Sequence, residues 1–420
     1  MTLSGFRKAG HAPTLLAAFL YFDVSFMVWV LLGPLGPFIG EALKLNASQK
    51  GLLVALPLLA GSFFRPILGI LADRIGGRTT GLIGLSLTLV PLLIGYQFAT
   101  QYAHFLAIGV MLGIGGASFA VALPLASRWY PPEYQGLAMG IAGAGNSGTL
   151  LATLFAPRIA MAYGFHAAFA IAAAPVLAVM VLFALLAKDS PNRPVVMKWS
   201  DYAVVLRESD TGWFCFLYSM TFGGFVGLAS FLTVYFHDQY GLSKVAAGDF
   251  TTFTVLGGSF LRPVGGMIAD RIGGYRLLLC VLLGVAICLS GVSALPPVSV
   301  ALAMLVVCMG LLGMGNGAVF QMLPQRFPAN VGILTGVVGA AGGLGGFLLP
   351  SLLGTIKQST GQFSFGFMIL AAITFLGSMT LLQLGHTWLG RWNPASAIRA
   401  GIFSYRGLTT NESDSADLAA

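Results

Sequence analysis

The chain has 420 residues, of which 57% are hydrophobic and only 9% are charged, with 22 Lys and Arg against 14 Asp and Glu. Soluble domains carry about 25% charged residues, so this composition excludes an ordinary soluble protein, a disordered chain and a disulfide scaffold. It is typical of a polytopic membrane protein. The net charge of +8 does not indicate nucleic-acid binding, because the basic residues lie in short loops rather than in one stripe.

Apolar runs long enough to cross a bilayer recur along the whole chain. A hydrocarbon core of about 30 Å needs roughly 20 apolar residues per helix. The first run is too long for the apolar part of a signal peptide, so we predict that it is a retained helix. In chain order, the runs predict twelve transmembrane helices near residues 15–39, 49–72, 80–98, 104–127, 136–157, 166–187, 212–236, 246–269, 277–295, 299–323, 331–355 and 363–387.

One long polar interruption divides these helices six and six. The predicted fold is therefore all-α, with two six-helix bundles. The end of the chain is rich in Ser, Asp and Glu and predicts disorder. The predicted units are an N-terminal bundle over residues 1–187, a central loop over 188–211, a C-terminal bundle over 212–390 and a disordered tail over 391–420.

The basic residues predict the orientation of the chain. If both termini are cytoplasmic, fifteen of the 22 Lys and Arg residues lie in loops and tails on that side and five lie on the other. The positive-inside rule then places both termini in the cytoplasm. The compact loops fit a bacterial inner membrane. The two basic residues that remain, Arg65 and Arg262, fall inside predicted membrane helices.

The sequence contains no pattern typical of an enzyme or a metal site. It has no G-x-S-x-G or H-E-x-x-H motif. Its four cysteines lie inside apolar runs without a C-x-x-C pair, so we interpret them as core or lipid-facing residues. We therefore predict a protein that is not an enzyme and that needs no cofactor and no metal. The cysteines are Cys215, Cys280, Cys288 and Cys308.

A strong internal repeat relates the two predicted bundles. The segment GSFFRPILGILADRIGG at 61–77 matches GSFLRPVGGMIADRIGG at 258–274. Parallel repeats with a binding site at their interface are typical of secondary transporters. Weaker matches pair GIGGASF at 113–119 with GMGNGAVF at 313–320, and GAGNSG at 143–148 with AAGGLG at 340–345.

The repeat places one arginine deep in each bundle. Arg65 and Arg262 each lie eight residues before a loop Asp, which is roughly 12 Å along a helix. A guanidinium at that depth costs at least about 2.5–3.5 kcal/mol on insertion scales. Only Asp23 lies comparably deep, and one acid cannot neutralise two cations. Because arginine is a planar fork of donors that stays charged, the pair predicts a site for a small oxyanion.

The loops that end the two repeats resemble the G-x-x-x-D-R-x-G-G signature of the major facilitator superfamily. The resemblance implies twelve helices in two halves, and it covers essentially the whole chain. In that family, the acidic and basic residues of this loop make contacts between helices that latch the cytoplasmic side. The resemblance implies this gating role for Asp73, Arg74, Arg78, Asp270, Arg271 and Arg276.

The glycine-rich helices 5 and 11 narrow the resemblance to the nitrate/nitrite porter family. That family has one arginine in each of helices 2 and 8 and glycine-rich signatures in helices 5 and 11, which GSFFRP, GSFLRP, AGAGNSGT and GAAGGLGG match in order. The resemblance implies substrate contacts from Arg65, Arg262, Asn146, Tyr218, Phe119 and Phe222. It implies helix packing and gating by Gly143, Gly145, Gly148, Gly339, Gly342 and Gly343.

The predicted function is alternating-access transport of nitrate and nitrite by a monomer in the membrane. Asp23, about 12 Å into helix 1, is the candidate for proton coupling, although an ion pair or a hydrogen bond between helices explains it equally well. Three alternatives stay open. They are nitrate/nitrite antiport, transport of another small anion such as formate, a monocarboxylate or an oxalate-like diacid, and a nitrate sensor built on a transporter fold.

Overall fold

A computed structural model shows the architecture of the chain and describes Phe6 and residues 8–191, 204–327 and 331–402. Every regular element within these ranges is helical, as predicted. The first half contains α1 (Ala12–Trp29 and Leu32–Ala42), α2 (Ala47–Ile75), α3 (Gly77–Gln97), α4 (Tyr102–Ala117 and Phe119–Ser127), α5 (Pro132–Gly143, a 3-10 turn over Ala144–Ser147, and Gly148–Tyr163) and α6 (Phe165–Leu186).

The second half repeats this order. It contains α7 (Ser209–Tyr218, a π-helical turn over Ser219–Gly223, and Gly224–Tyr240), α8 (Lys244–Ile272), α9 (Gly274–Ser293), α10 (Val298–Arg326), α11 (Val331–Thr360) and α12 (Ser364–Leu389), followed by a short α13 (Pro394–Ala400). Most of the helices extend a few residues beyond the predicted apolar runs, because polar residues at the helix ends continue the helix outside the hydrocarbon.

Ten helices in the described part of the chain are long and apolar enough to cross a membrane. In the other two long helical segments, α5 and α8, the apolar character is weaker. The 3-10 turn splits α5 into pieces of 12 and 16 residues. The 29 residues of α8 include Lys244, Asp249 and Arg262. The six-and-six prediction is confirmed, and these two exceptions are helices that also carry predicted site residues.

The outer surface of the helices is apolar. Leu185 and Ile287 are each 72% exposed, and Phe260 is 62% exposed. Large apolar side chains in such positions are stable against lipid chains but not against water. The chain is therefore a multi-pass membrane protein.

The predicted disorder of the tail from Arg391 is wrong for its first part. The Asn393 side chain accepts a hydrogen bond at the start of α13, and Gly401 ends this helix in the left-handed region with φ +84°. A Cβ on Gly273 would lie 2.2 Å from Gly401 Cα, so α13 ends directly on the turn between α8 and α9. The Ser/Asp/Glu-rich stretch lies within residues 403–420, outside the described residues.

Candidate functional site

The arginines of the two repeats meet at the interface between the halves. Both guanidinium groups approach one aromatic ring of α4: the Cζ atom of Arg65 lies 5.6 Å from the ring centroid of Phe119, and that of Arg262 lies 5.9 Å from it. The pseudo-symmetric repeat therefore brings α2 and α8 to a common centre. The structure brings these three predicted residues together.

Arg65 is fully enclosed, with 1% of its surface exposed. Its Nε donates to the carbonyl of Gly116 at 3.0 Å, and its Nη1 donates to the carbonyl of Gly339 across the interface. The rings of Trp29 and Phe222 lie 5.3 Å and 5.1 Å from its Cζ. No acid pairs with Arg65 among the described residues, so carbonyls and ring faces stabilise this cation.

Arg262 has a different environment, although it occupies the same position in the repeat. It is half-buried, and its Nη1 is buried without a hydrogen-bond partner in the described part of the chain. Nη2 of Arg65 is likewise buried without a partner among the described residues. Buried donors normally find a partner. The two arginines thus present free donors and an uncompensated positive charge to the centre of the interface.

Aromatic rings complete the walls of this centre. Tyr218 directly precedes the π-helical turn of α7 and Phe222 lies within it, and their rings stack with centroids 5.1 Å apart. Tyr218 is close enough to both guanidinium groups to interact with them electrostatically. Phe320 of α10 lies 5.0 Å from the ring of Tyr218 and 6.2 Å from that of Phe119. All predicted aromatic residues are therefore at the site.

The sequence interpretation missed Phe320, Trp29 and Asn316. The weak match between residues 113–119 and 313–320 contained a signal for Phe320, because both segments end in phenylalanine. Asn316 lies in the same match and is fully buried, with both side-chain amide atoms unpartnered among the described residues. Trp29 had no comparable signal, since it lies in an unbroken apolar run.

Asn146 lies in the 3-10 turn that interrupts α5. It is 1% exposed, and neither Oδ1 nor Nδ2 has a partner in the parts of the chain that are described. Next to it, Ser147 Oγ donates to Asp23 Oδ1 at 2.7 Å. Asp23 is half-buried and forms no ion pair with either arginine in the described ranges. The acid therefore stabilises the contact between α1 and α5.

The glycines of α5 and α11 differ in how close their neighbours lie. A Cβ on Gly148 would lie 1.8 Å from the backbone oxygen of Asp23, and one on Gly343 would lie 2.2 Å from Ser62 Oγ. A Cβ on Gly145 or Gly342 would also lie too close to its neighbours, at 2.8 Å and 2.7 Å from the nearest atom. Around Gly143 a Cβ would meet nothing within 4 Å. Gly339 has ordinary contact distances, and its carbonyl is the one that binds Arg65.

In the first half, residues of the loop signature contact other residues of the same half. Asp73 pairs with Arg128 at the end of α4, with 2.7 Å between Oδ1 and Nη2. The Arg78 guanidinium donates to the Ala184 carbonyl at 2.7 Å, and its backbone N–H donates to Asp189 at 2.9 Å. Arg74, Asp270 and Arg271 are exposed.

The two halves are joined by ion pairs at one face of the bundle. We call the face on which α1 begins the terminal face and the other the opposite face. At the opposite face, Lys50 pairs with Asp238 at 2.6 Å, Arg158 pairs with Asp249 at 2.6 Å, and Lys244 pairs with Glu41. Each pair links one half to the other. At the terminal face, the ion pairs within the described ranges stay inside one half, as in Arg326–Asp210 at 2.5 Å.

This distribution indicates a bundle that is closed at the opposite face. Toward the terminal face, a Cβ on Gly140, Gly143 or Gly336 would meet no atom within 4 Å, so α5 and α11 border open space there. The two halves are therefore joined less tightly at the terminal face than at the opposite face in this conformation.

We expect loss of the three ion pairs to release the opposite face. Because a surface ion pair contributes little on its own, the test removes all three together. In a variant that combines Lys50→Gln, Arg158→Gln and Lys244→Gln, each acid loses its basic partner. Spin labels at Ser48 and Ser359, in a background without the native cysteines, should report a second, longer distance population. Lys357→Gln is the matched control, because Lys357 lies at the same face and donates to the Gly361 carbonyl of its own segment at 2.8 Å. Identical distance distributions in all variants would contradict the ion-pair account.

A membrane-embedded bundle of two helical repeats with a charged centre at their interface defines a membrane transporter. Comparisons with known proteins agree. A family model described as Major Facilitator Superfamily matches residues 15–350 and again 214–410. The solved structure of a D-xylose-proton symporter aligns with a TM-score of 0.75 over 88% of this chain and 97% of that one, at 17% sequence identity.

Among curated relatives, the chain is 35% identical to the probable nitrate/nitrite transporter NarK2 of Mycobacterium tuberculosis, over 86% of this chain and 94% of that protein. It is 34% identical to the nitrite extrusion protein of Bacillus subtilis, over 85% and 90%. It is 32% identical to the probable nitrate/nitrite antiporter NarK1 of Thermus thermophilus, over 87% and 90%. The chain belongs to the Major Facilitator Superfamily.

Proposed function

We propose that the chain transports nitrate and nitrite by alternating access and binds the anion between Arg65 and Arg262. The observation that carries this proposal is the pair of guanidinium groups within 6 Å of one ring, each with a free donor nitrogen and no acid in contact among the described residues. Such a site favours one small anion, because the anion supplies the missing charge and the missing acceptors.

The shape of the site fits a planar ion. Two guanidinium forks can donate to the oxygens at the edge of nitrate, while the rings of Phe119 and Phe222 cover its faces. Tyr218 and Asn146 supply further donors at the same centre. Arginine remains charged at any working pH, so anion binding does not depend on protonation of the site.

The names of the relatives support the same substrates. The relatives from Mycobacterium tuberculosis and Thermus thermophilus are named for nitrate and nitrite, and the one from Bacillus subtilis for nitrite extrusion. We extend nitrate and nitrite to this chain because both arginines approach one aromatic ring at the interface between the halves. A proteoliposome assay tests the proposal: uptake of nitrate should be inhibited by unlabelled nitrite, but weakly by formate, monocarboxylates or oxalate.

The basic residues support an inner-membrane orientation with both termini in the cytoplasm. With this orientation, the terminal face is cytoplasmic and the structure is closed toward the periplasm. The loop residues Asp73, Arg74, Arg78, Asp270 and Arg271 then lie at the cytoplasmic gate. The site is built from one chain, so we regard the monomer as the unit that transports.

We further propose that uptake is coupled to protons through Asp23, with nitrate/nitrite antiport as the second candidate. Asp23 is a half-buried acid bonded to Ser147, next to the site residue Asn146, which supports a coupling role. Antiport is favoured by the absence of an acid against either arginine in the described part of the chain. In antiport, the bound anion alone neutralises the charge of the arginines before the two halves move relative to each other.

Asp23→Asn separates the two mechanisms. If Asp23 carries the proton, the variant should lose nitrate uptake driven by a pH gradient but keep exchange of external nitrate for internal nitrite. The amide retains an oxygen that can accept from Ser147, so the contact between α1 and α5 should persist. Ser147→Ala, which removes the donor but leaves the acid, is the control. Nitrate uptake that ignores the pH gradient in the unmodified protein but requires internal nitrite would rule out symport.

A further inference from the structure

The two halves of the site differ at the residues next to the arginines. Ser62 and Ser259 occupy the same position in the repeat, three residues before Arg65 and Arg262. Both serines are buried, at 3% and 4% exposed surface. On a helix, residues three apart share a face, so each serine lies one turn from its arginine on a neighbouring part of the same surface.

The first serine is enclosed and satisfied. Ser62 Oγ donates to the Leu58 carbonyl one turn earlier at 3.1 Å. The residue opposite is Gly343 of α11, where a Cβ would lie 2.2 Å from Ser62 Oγ. Nothing larger than glycine fits there. This side of the site is therefore closed by backbone and offers no free donor from Ser62.

The second serine has a polar residue where the first has glycine. In the match between residues 143–148 and 340–345, Asn146 takes the place of Gly343. By the pseudo-symmetry of the halves, Asn146 lies opposite Ser259, and α8 does pack against the 3-10 turn that holds Asn146. Ser259 Oγ and both amide atoms of Asn146 are buried without a partner in the described residues.

These free groups lie on the side of the less enclosed arginine. Arg262 has a buried Nη1 without a partner and no hydrogen bond to a carbonyl among the described residues, whereas Arg65 donates to two carbonyls and keeps only Nη2 free. Leaving a buried donor unsatisfied is costly, so a cluster of them in a membrane protein calls for an acceptor that arrives with a ligand. The acceptor must be small, because the cluster is enclosed.

We propose that Ser259 is a substrate-positioning residue that, together with Asn146, binds the third oxygen of nitrate beside Arg262. This inference rests on the proposed function and adds a determinant of specificity to it. Nitrite has two oxygens, and both can be held by the guanidinium forks. Nitrate has one more, and Ser259 Oγ and Asn146 Nδ2 can donate to it. The pair therefore favours nitrate over nitrite.

The test compares Ser259→Ala with Ser62→Ala in proteoliposomes containing the full chain. We expect Ser259→Ala to raise the KM for nitrate about tenfold, the effect of one hydrogen bond to a charged group, and to leave the maximal rate and the inhibition by nitrite nearly unchanged. Ser62→Ala, the same change in the other repeat, should leave both anions unaffected. Asn146→Gly recreates beside Ser259 the serine–glycine pair that Ser62 and Gly343 form in the other half. Like Ser259→Ala, it should reduce the preference for nitrate over nitrite.

The outcomes distinguish the failure of the Ser259 proposal from the failure of the proposed transport function. If the unmodified protein carries nitrate and nitrite but Ser259→Ala weakens both equally or neither, the role of Ser259 is overturned and the proposed function stands. If the unmodified protein carries neither anion, the proposed function fails first. A matching loss in Ser62→Ala would also overturn the inference, because it would show that the two sides are equivalent.

Discussion

Replacing Arg65 or Arg262 with lysine should reduce nitrate transport in proteoliposomes by roughly 10- to 100-fold, the loss expected when one or two hydrogen bonds to a charged group disappear. The charge is kept, but the planar fork that binds two oxygens at once is not. Lysine also presents a compact, strongly hydrated charge that is costlier to hold among the rings of Phe119 and Phe222. Initial rates at saturating nitrate, compared with direct binding by calorimetry, measure the effect.

The two lysine variants should differ in stability. Arg65 donates to the carbonyls of Gly116 and Gly339, so Arg65→Lys removes a link between the halves and should lower the melting temperature in detergent. Arg262→Lys breaks no hydrogen-bonded link between the halves among the described residues and should melt close to the unmodified protein. Arg207→Lys, at an exposed position before α7 that belongs to neither the site nor the loop signatures, is the matched control and should transport normally. Normal nitrate transport by either site variant would refute the clamp.

The second large effect is steric and concerns α5. Gly148→Ala should prevent close packing of α5 on α1, since the added Cβ would lie 1.8 Å from the backbone oxygen of Asp23. Overpacking against backbone costs about 1–3 kcal/mol or more, because the backbone cannot rotate away as a side chain does. We expect a protein that expresses poorly, melts at a lower temperature in detergent and does not transport.

Gly143→Ala is the matched control within the same helix and signature. A Cβ there meets nothing within 4 Å in this conformation, so folding and melting temperature should be unchanged. If Gly143→Ala melts as low as Gly148→Ala, the packing account of the signature is wrong. If it melts normally but transports slowly, Gly143 is needed for close approach in the conformation that opens the other face.

The repeated segment shows why so much of the site was predictable. A membrane helix tolerates arginine only at a cost, so the depth of Arg65 and Arg262 in the repeat predicted that they act as a pair, and the structure brings them to one ring. The twelve helices follow from apolar length in the same way. Even α5, with its 3-10 turn, and α8, with its charges, were predicted from their apolar runs, although these runs are weaker than the others.

Contacts that depend on the meeting of distant segments could not be predicted. The carbonyls that bind Arg65 belong to Gly116 and Gly339, and backbone atoms leave no trace in residue identity. Trp29 reaches the site only through the path of α1. The docking of α13 was hidden for the same reason, since its contact with Gly273 is made by backbone atoms of Gly401.

The ion pairs of the opposite face also set the electrical character of the passage once it opens. The first half contributes Lys50, Arg158 and Glu41, a balance of +1, and the second contributes Asp238, Asp249 and Lys244, a balance of −1. When the halves part, the passage has one positive wall and one negative wall. Fields in a narrow cleft concentrate ions of opposite charge. An anion would therefore travel along the wall formed by α2 and α5, and would reach Arg65 before Arg262.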